Sequence, residues 1–296
     1  MTTKHIRNPA EWAVDQVRLA STAAESTVQS VIGIDQTRPV VQRITLGDLK
    51  DVLAKGLADT LTYRTDVFFL CLVYPVIGLL LISLAFDYQM LPLVFPLISG
   101  FALVGPVAAV GLYEMSRRRE RGLMTNWADA FGVVSSHGFG AIFVLGLLLT
   151  AIFLVWMIAA YAIYQVTLGP ESPTSIASFA SDVLTTKAGR VMIGLGIGVG
   201  FLFALLVLSI SVISFPLLLD REVGVGRAVS TSVRAVAMNP IPMAAWGIIV
   251  AGGLVLGSLP LLLGLVIVMP VLGHGTWHLY RKVVSHRQPQ KRWSAD

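Results

Sequence analysis

Charged residues are scarce in this chain, and their scarcity limits what kind of protein it can be. They make up 13% of the 296 residues, whereas hydrophobic residues make up 55%. A typical soluble domain carries about 25% charged residues. So much apolar surface needs lipid around it, and the composition therefore excludes an ordinary soluble domain and indicates an integral membrane protein.

Cysteines and catalytic motifs are also nearly absent. The single cysteine, Cys71, excludes an internal disulfide and any zinc or iron–sulfur site built from several cysteines. The sequence contains no Walker loop, no Gly-x-Ser-x-Gly elbow and no His-Glu-x-x-His pair. Its long apolar runs hold no carboxylate, a group that proton-coupled transporters generally need at membrane depth. We therefore expect no enzymatic activity and assign no cofactor.

What the chain does contain is a series of long uncharged runs. Each of five stretches without Asp, Glu, Lys or Arg can cross a bilayer, which takes about 20 helical residues. The last stretch is long enough to cross twice, and Pro260 divides it, because proline suits a helix start but not a helix interior. The sequence thus predicts an all-α protein with six transmembrane helices, near residues 67–86, 91–113, 140–165, 191–218, 241–257 and 260–280.

Basic residues are distributed unevenly between the two sides of these predicted helices. One side carries only Lys187 and Arg190. The other side has Lys50, Lys55, Arg64, Arg117, Arg118, Arg119, Arg121, Arg221, Arg227, Arg234, Arg281, Lys282, Arg287, Lys291 and Arg292. By the positive-inside rule the basic side is cytoplasmic, so both termini are expected in the cytoplasm. The net charge of +5 then reflects topology, and we expect no nucleic-acid partner.

The chain divides into three regions on the same pattern. Residues 1–43 form a polar cytoplasmic segment, predicted to be helical to about Ile32 and then to continue as a linker. Residues 44–284 form the six-helix transmembrane domain. Residues 285–296 form a cytoplasmic tail that we expect to be disordered, since it is polar and lacks apolar residues to bury.

The cytoplasmic connections suggest an internal repeat. Apolar residues recur at helical spacing in two connections, and the motif Arg119-Glu120-x-Gly122 recurs as Arg221-Glu222-x-Gly224 at the same offset. The apolar positions are Leu123, Trp127, Phe131 and Val134 in the first connection and Val225, Val229, Val233 and Val236 in the second. A third stripe, Leu46, Leu49, Leu53, Leu57 and Leu61, precedes the first span. We predict three pseudo-repeated hairpins, each preceded by an amphipathic helix that lies in the cytoplasmic membrane interface.

Two histidines offer the sharpest candidate for a metal or haem site. His274 and His278 are four residues apart and project from one helical face, so they could share a metal or bind haem. Glu114 and His137 are the natural additional ligands. The alternative, which we favour, is that both histidines hydrogen-bond to neighbouring helices or water.

A belt of alternating charge lies at the cytoplasmic ends of the predicted spans. It comprises Arg117, Arg119, Glu120, Asp220, Arg221, Glu222 and Arg281. Such a belt could bind anionic lipid or a partner protein, because basic residues at the membrane surface attract acidic groups. The simpler interpretation, which we favour, is that these charges set the topology and form local ion pairs.

Glycines at alternate positions mark the fourth predicted span: Gly194, Gly196, Gly198 and Gly200. No strand precedes them, so they are not a nucleotide-binding loop. Small residues four apart allow two helices to pack closely. We expect the neighbour to be a helix of the same chain rather than another subunit, and the sequence leaves the oligomeric state open.

Three separated motifs resemble one known family. They lie within residues 98–122, within Ser214-Phe215-Pro216 to Arg221, and within Pro270-Val271-Leu272 to Arg281. Over residues 45–283 the chain is similar to a family of predicted bacterial integral membrane proteins classed as a domain of unknown function. Some members are labelled cytochrome c oxidase subunit I. The resemblance implies a location in the bacterial inner membrane, and the label implies an accessory role near respiratory complexes.

Three hypotheses for function follow. The first is a non-enzymatic inner-membrane scaffold or accessory protein whose cytoplasmic face docks membrane lipid or a membrane-complex partner. The second is a channel or facilitator for a small or lipid-like solute, suggested by the pseudo-repeats and by prolines at membrane depth. The third is a haem- or metal-binding membrane protein that uses His274 and His278.

Overall fold

The computed structural model describes residues 28–33, 35, 39–87, 90–169, 173 and 175–285. In this part the chain is helical, apart from loops and one isolated bridge between Val41 and Val284. A 3-10 helix spans Trp127–Ser135. The α-helices are α1 (Leu46–Thr62), α2 (Arg64–Cys71), α3 (Val73–Asp87), α4 (Leu91–Ala108), α5 (Val110–Glu120), α6 (Phe139–Thr167), α7 (Ile176–Thr185), α8 (Lys187–Ser211), α9 (Ser214–Asp220), α10 (Val225–Met238), α11 (Pro240–Ser258) and α12 (Leu265–Val283).

Two terminal predictions fall mostly outside the described residues. Residues 28–32 are helical, in agreement with a helix that ends near Ile32, but the rest of that helix is not described. The tail beyond Ser285 also lies outside the description. Residues 40–42, predicted to be part of a linker, pair with the end of α12, where the Gln42 amide donates to the Val283 carbonyl over 2.8 Å.

Four helical stretches among the described residues are long and apolar enough to cross a membrane: Thr65–Leu84, Phe139–Thr167, Lys187–Asp220 and Pro240–Ser258. They coincide with the first, third, fourth and fifth predicted spans. The other two predicted spans are helical as well, as α4 with α5 and as α12, but they fall outside this group. The first of them is interrupted near Ala109, and the second ends on Arg281 and Lys282.

Breaks in the long helices lie close to prolines. The interruption between α2 and α3 at Leu72 precedes Pro75, and the interruption between α8 and α9 precedes Pro216. A proline lacks the amide that would bond to the carbonyl four residues earlier, so the helix is weakened one turn before it. The predicted break before the last helix is also present. There α12 begins at Leu265 rather than near residue 260, after a turn in which Leu261 and Leu262 have positive φ.

Helix α1 packs against α12 along a face of small and apolar residues. A Cβ atom on Gly56 would lie 2.7 Å from the Val271 carbonyl oxygen and 2.8 Å from the Gly275 amide nitrogen, so only glycine permits this approach. The predicted leucine stripe is therefore split. Leu49 is buried against the protein, whereas three other members stay exposed: Leu46, Leu57 and Leu61. Part of the predicted apolar face of α1 therefore packs against the protein, and the position of α1 in the membrane interface stays a prediction.

The two connections of the predicted repeat agree in one feature and differ in another. Gly122 and Gly224 both have positive φ, 70° and 75°, and each follows the end of a helix. The segments after them differ, because the first is a 3-10 helix and the second, α10, is an α-helix. Gly132 and the adjacent pair of valines disfavour α-helix in the first segment. The valines Val225, Val229 and Val236 pack partly against the protein core, so they do not form a freely exposed face.

The glycines of the fourth predicted span do not pack as expected. Added Cβ atoms at Gly194, Gly196 and Gly198 would meet nothing within 4 Å, so no described helix of this chain lies against them. Only Gly200 has a close neighbour, the ring of Trp156. As far as the described residues show, the expectation of a neighbour within the chain was wrong for the first three glycines, which lie on two different faces of α8.

Candidate functional site

The two predicted histidines lie on one face of α12, and both are buried. A carboxylate that the sequence analysis did not select, Asp59 of α1, lies between them. Its Oδ2 atom is 2.9 Å from Nε2 of His278 and 4.0 Å from Nδ1 of His274. Ser116 of α5 bridges the longer gap, with its Oγ 2.6 Å from the same carboxylate oxygen and 2.7 Å from Nδ1 of His274.

The hydrogen bonds of this cluster lead to Asp59, either directly or through Ser116. The Ser116 hydroxyl has one proton and donates it to Asp59, so Nδ1 of His274 must carry the proton shared with the Ser116 oxygen. An ionised carboxylate only accepts, so Nε2 of His278 donates as well. The Arg119 guanidinium pairs with the second carboxylate oxygen of Asp59. Both oxygens of one buried carboxylate therefore hold three helices together.

Asp59 stays ionised in this environment. Burial alone would raise the pKa of the Asp59 carboxyl group, but hydrogen bonds from His278 and Ser116, with the nearby imidazoles, outweigh burial and hold the pKa below its usual value. The charge of Asp59 is thus balanced by donors, in the way that buried charges must be.

This geometry offers little to a metal ion. The nitrogen atoms nearest Asp59 are protonated donors, whereas a metal needs their lone pairs, and the Arg119 cation lies against the same carboxylate. Among the described residues, no group of three or more His, Cys, Asp or Glu side chains is arranged to hold a metal. The lone pairs left for a metal are on the other ring nitrogens, Nε2 of His274 and Nδ1 of His278, so a metal or haem site at these two residues stays a prediction.

The structure does not bring the two suggested extra ligands to the histidines. Glu114 is buried and paired with Arg117, at 2.7 Å, and with Arg118, at 3.0 Å. His137 lies elsewhere, on the wall of a surface cleft that Arg221 also lines.

The belt of alternating charge is built largely into the protein. Nε of Arg281 lies 3.0 Å from Glu120, and its guanidinium lies 3.7 Å from Asp220, which also accepts a 2.7 Å hydrogen bond from Tyr280. Further belt arginines donate to backbone carbonyls: Arg117 to Leu219 and Arg221 to Ser285. The Glu222 residue is exposed. These contacts connect the C-terminal ends of α5, α9 and α12, and they leave little of the belt free for an external ligand.

A buried asparagine also joins the segment before α1 to the helices that it packs against. Asn239 lies between α10 and α11, where its side chain accepts from the Ile44 amide at 2.8 Å and donates to the Gln42 carbonyl at 3.1 Å. The segment that leads into α1 is thereby fixed to the end of α10. This contact and the Val41–Val284 bridge position α1 for its approach to α12.

Apolar side chains of the 3-10 helix face away from the protein. Trp127 is 44% exposed, and Phe131 and Val134 are each 58% exposed. The Trp127 ring packs edge-on against Phe69 of α2, with ring centroids 5.5 Å apart. Phe69 is itself exposed, within the first candidate span. The exposed aromatic surface of the 3-10 helix is therefore continuous with the outer surface of that span.

The sequence contained a signal for Asp59 that the analysis did not use. Leu49, Val52, Gly56 and Asp59 share one helical face of α1, and a carboxylate on an otherwise apolar or small face needs a buried partner. Ser116 carried no comparable signal, since a serine at a span end is ordinary.

Comparison with known protein families gives a match over part of the chain. The family described as predicted integral membrane protein (DUF2189) matches residues 94–220, which confirms the resemblance stated above for that part of the chain. The matched region runs from α4 to α9 and includes Ser116 and Arg119 but not Asp59 or the two histidines. No curated protein and no solved structure matches the chain.

Proposed function

We propose that this protein is a non-enzymatic membrane scaffold that docks lipid through its cytoplasmic face. Its residues 94–220 match a family of predicted integral membrane proteins, which supports a place in the membrane. In this proposal six helices cross the inner membrane as three hairpins, and both termini are cytoplasmic. The cluster around Asp59 is structural: it clamps α1 and α5 to α12.

The observation that carries the proposal is the exposed apolar surface formed by Trp127, Phe131 and Val134 beside Phe69. Aromatic side chains at the end of a span favour the headgroup region, where their rings are partly apolar and partly hydrated. Their exposure in water would be unfavourable, since each fully buried side chain of this size contributes about 1.5–3 kcal/mol. Lipid is the medium next to this surface if α2 spans the membrane.

Partner docking is the second part of the proposal and has less support. The belt charges are mostly paired within the protein. A protein partner would therefore bind through exposed groups such as Glu222 and the exposed leucines of α1, which are Leu46, Leu57 and Leu61. The accessory role near a respiratory complex stays a prediction.

A comparison of purified variants tests the proposal. The full-length protein is extracted in mild detergent, and the retained lipids and co-purifying proteins are identified by mass spectrometry. We expect the parent protein to retain lipid reproducibly and the Trp127→Ser, Phe131→Ser double variant to retain several-fold less. The Thr125→Ser, Ala128→Ser double variant is the matched control. Both positions lie in the same segment, but neither belongs to the apolar surface formed by Trp127, Phe131 and Val134.

Equal retention by the parent and the aromatic variant would contradict lipid docking at this surface. A parent protein that is reproducibly solitary would also remove the partner-docking part of the proposal.

A facilitator for a lipid-like solute is favoured by one observation. An apolar cleft between α3, α4, α11 and α12 is lined by Tyr74, Gly78, Ile98, Leu254 and Leu265. Its volume of about 40 Å³ holds no more than a small group, so transport would require the helices to separate. Absence of flux for every tested solute in liposomes would count against this role.

A further inference from the structure

Helix α7 was not foreseen from the sequence, and its two sides differ sharply. At about 100° per residue, the apolar residues of α7 fall on one half of the helix and the polar residues on the other. The apolar half consists of Ile176, Ala177, Phe179, Ala180, Val183 and Leu184. The polar half consists of Ser178, Ser181, Asp182 and Thr185. The helix begins with a capping box in which the Ser175 hydroxyl accepts from the Ser178 amide at 3.1 Å.

One edge of the apolar half packs against the protein. The Phe179 ring lies edge-on to Tyr164 near the end of α6, with ring centroids 6.3 Å apart. Next to it, the backbone of Val183 approaches Gly189 of α8 so closely that a Cβ atom there would lie 2.3 Å from the Val183 carbonyl oxygen. These contacts, together with a 3.0 Å hydrogen bond from Arg190 to the Thr185 carbonyl, fix α7 beside the start of α8.

The other edge of the apolar half has no cover among the described residues. Ile176 is 61% exposed and Leu184 is 68% exposed, and Ala180 between them is exposed as well. These three residues recur every four positions and form a strip along the helix, here called the outer strip. A helix that buries half of its apolar side and exposes the rest lies at the boundary between the protein and another apolar medium.

The position of α7 identifies that medium. α7 ends at Thr185, and α8, which opens the candidate span Lys187–Asp220, begins two residues later. The first turns of α8 expose Val191 and Leu195, whose surroundings are lipid if α8 spans the membrane. The outer strip continues this surface at the level where the span begins. Lys187 and Arg190 lie at the same level, where cations attract lipid phosphates.

We infer that α7 lies flat in the membrane interface on the face opposite the arginine-rich connections, with its outer strip inserted among lipid acyl chains. The polar half of α7 then faces water. This inference needs α8 to span the membrane, but it does not depend on the lipid-docking scaffold proposed above, which concerns the other face of the membrane.

Nitroxide labels test the inference in the full-length protein. Single cysteines are introduced as Ile176→Cys and Leu184→Cys on the outer strip and as Ser181→Cys on the polar half, the matched control. The parent protein gives the background labelling, because its only cysteine, Cys71, is buried. Each variant is reconstituted in vesicles of phosphatidylethanolamine and phosphatidylglycerol. Collision of the label with oxygen, which partitions into lipid, is compared with collision with a water-soluble nickel complex.

We expect the ratio of oxygen to nickel collisions to be several-fold higher at residues 176 and 184 than at residue 181. Equal ratios at the three positions would overturn the inference, because the outer strip would then face water. Low collision rates with both reagents at residues 176 and 184 would also overturn it, because a second copy or another protein would then cover the strip.

Discussion

At the scale of single residues, one carboxylate makes the central polar contacts among three helices. Asp59 accepts hydrogen bonds from Ser116 and His278 and an ion pair from Arg119, and thereby connects α1, α5 and α12. A buried ion pair contributes little compared with an apolar replacement, but removing one partner leaves the others unpaired. Asp59 is therefore the residue whose loss should matter most.

The Asp59→Asn variant should be less stable than the parent protein at pH 7, by about 3–5 kcal/mol, the range for breaking a buried pair. The folded-state pKa of Asp59 is lowered, so its contribution is present above the unfolded pKa of about 3.9 and is lost as the pH falls through the folded pKa. The stability difference should accordingly shrink at acid pH. Unfolding of detergent-solubilised protein, measured between pH 3 and 7, checks both effects.

Asp51→Asn is the control for this prediction. Asp51 lies on the same helix and pairs with Lys282 at 3.0 Å, but its side chain is 64% exposed. An exposed pair contributes about 0–1 kcal/mol, so this variant should resemble the parent protein. If the two variants had the same stability at every pH, the assignment of Asp59 as the clamp would be incorrect.

At the scale of helices, the sequence predicts positions well and neighbours poorly. Apolar runs and prolines located the long helices to within a few residues, because span length and the missing proline amide are local properties. Which face of α1 is buried depends on Gly56 meeting Gly275, which are far apart in the chain. No local pattern reports such a contact, so the partners of the two histidines could not be predicted, although Asp59 stands out as a carboxylate on an otherwise small and apolar helical face.

Helix α7 was missed for a different reason. The helix has only ten residues and lies between two longer spans, and its two alanines and two serines dilute the periodic signal. The glycines of α8 were misjudged because small residues permit close packing without requiring it.

The Gly56→Ala variant should separate α1 from α12. Its Cβ would overlap backbone atoms of Val271 and Gly275, which cannot rotate away as a side chain can. Overpacking of this kind lowers stability by about 1–3 kcal/mol. Gly47→Ala in the same helix is the matched control, since its Cβ would meet only the Thr45 hydroxyl, at 3.5 Å. Thermal unfolding in detergent distinguishes the two, and a Gly56→Ala variant as stable as the control would exclude close α1–α12 packing.

At the scale of the whole molecule, polar contacts join the helices at one end, whereas the protein covers the candidate spans only loosely. The Asp59 cluster, the ion pairs of Glu120 and the Val41–Val284 bridge all lie at one end of the helices. In the candidate span Lys187–Asp220, by contrast, only 6% of the apolar 18-residue stretch is buried in the protein. This difference is expected of a protein whose spans are solvated by lipid and whose helix ends on one side keep their arrangement by polar contacts.

Topology is the property on which this view of the molecule depends. Single cysteines at Met90→Cys, Met124→Cys and Leu259→Cys, and one appended after Asp296, are tested with a membrane-impermeant maleimide in intact spheroplasts and after permeabilisation. Six spans with cytoplasmic termini predict that residues 90 and 259 react in intact spheroplasts, and that residue 124 and the appended cysteine react only after permeabilisation. If residues 90 and 124 reacted alike, α4 and α5 would not cross the membrane. If the appended cysteine reacted like residue 259, α12 would not cross it, and either result would contradict the proposed architecture.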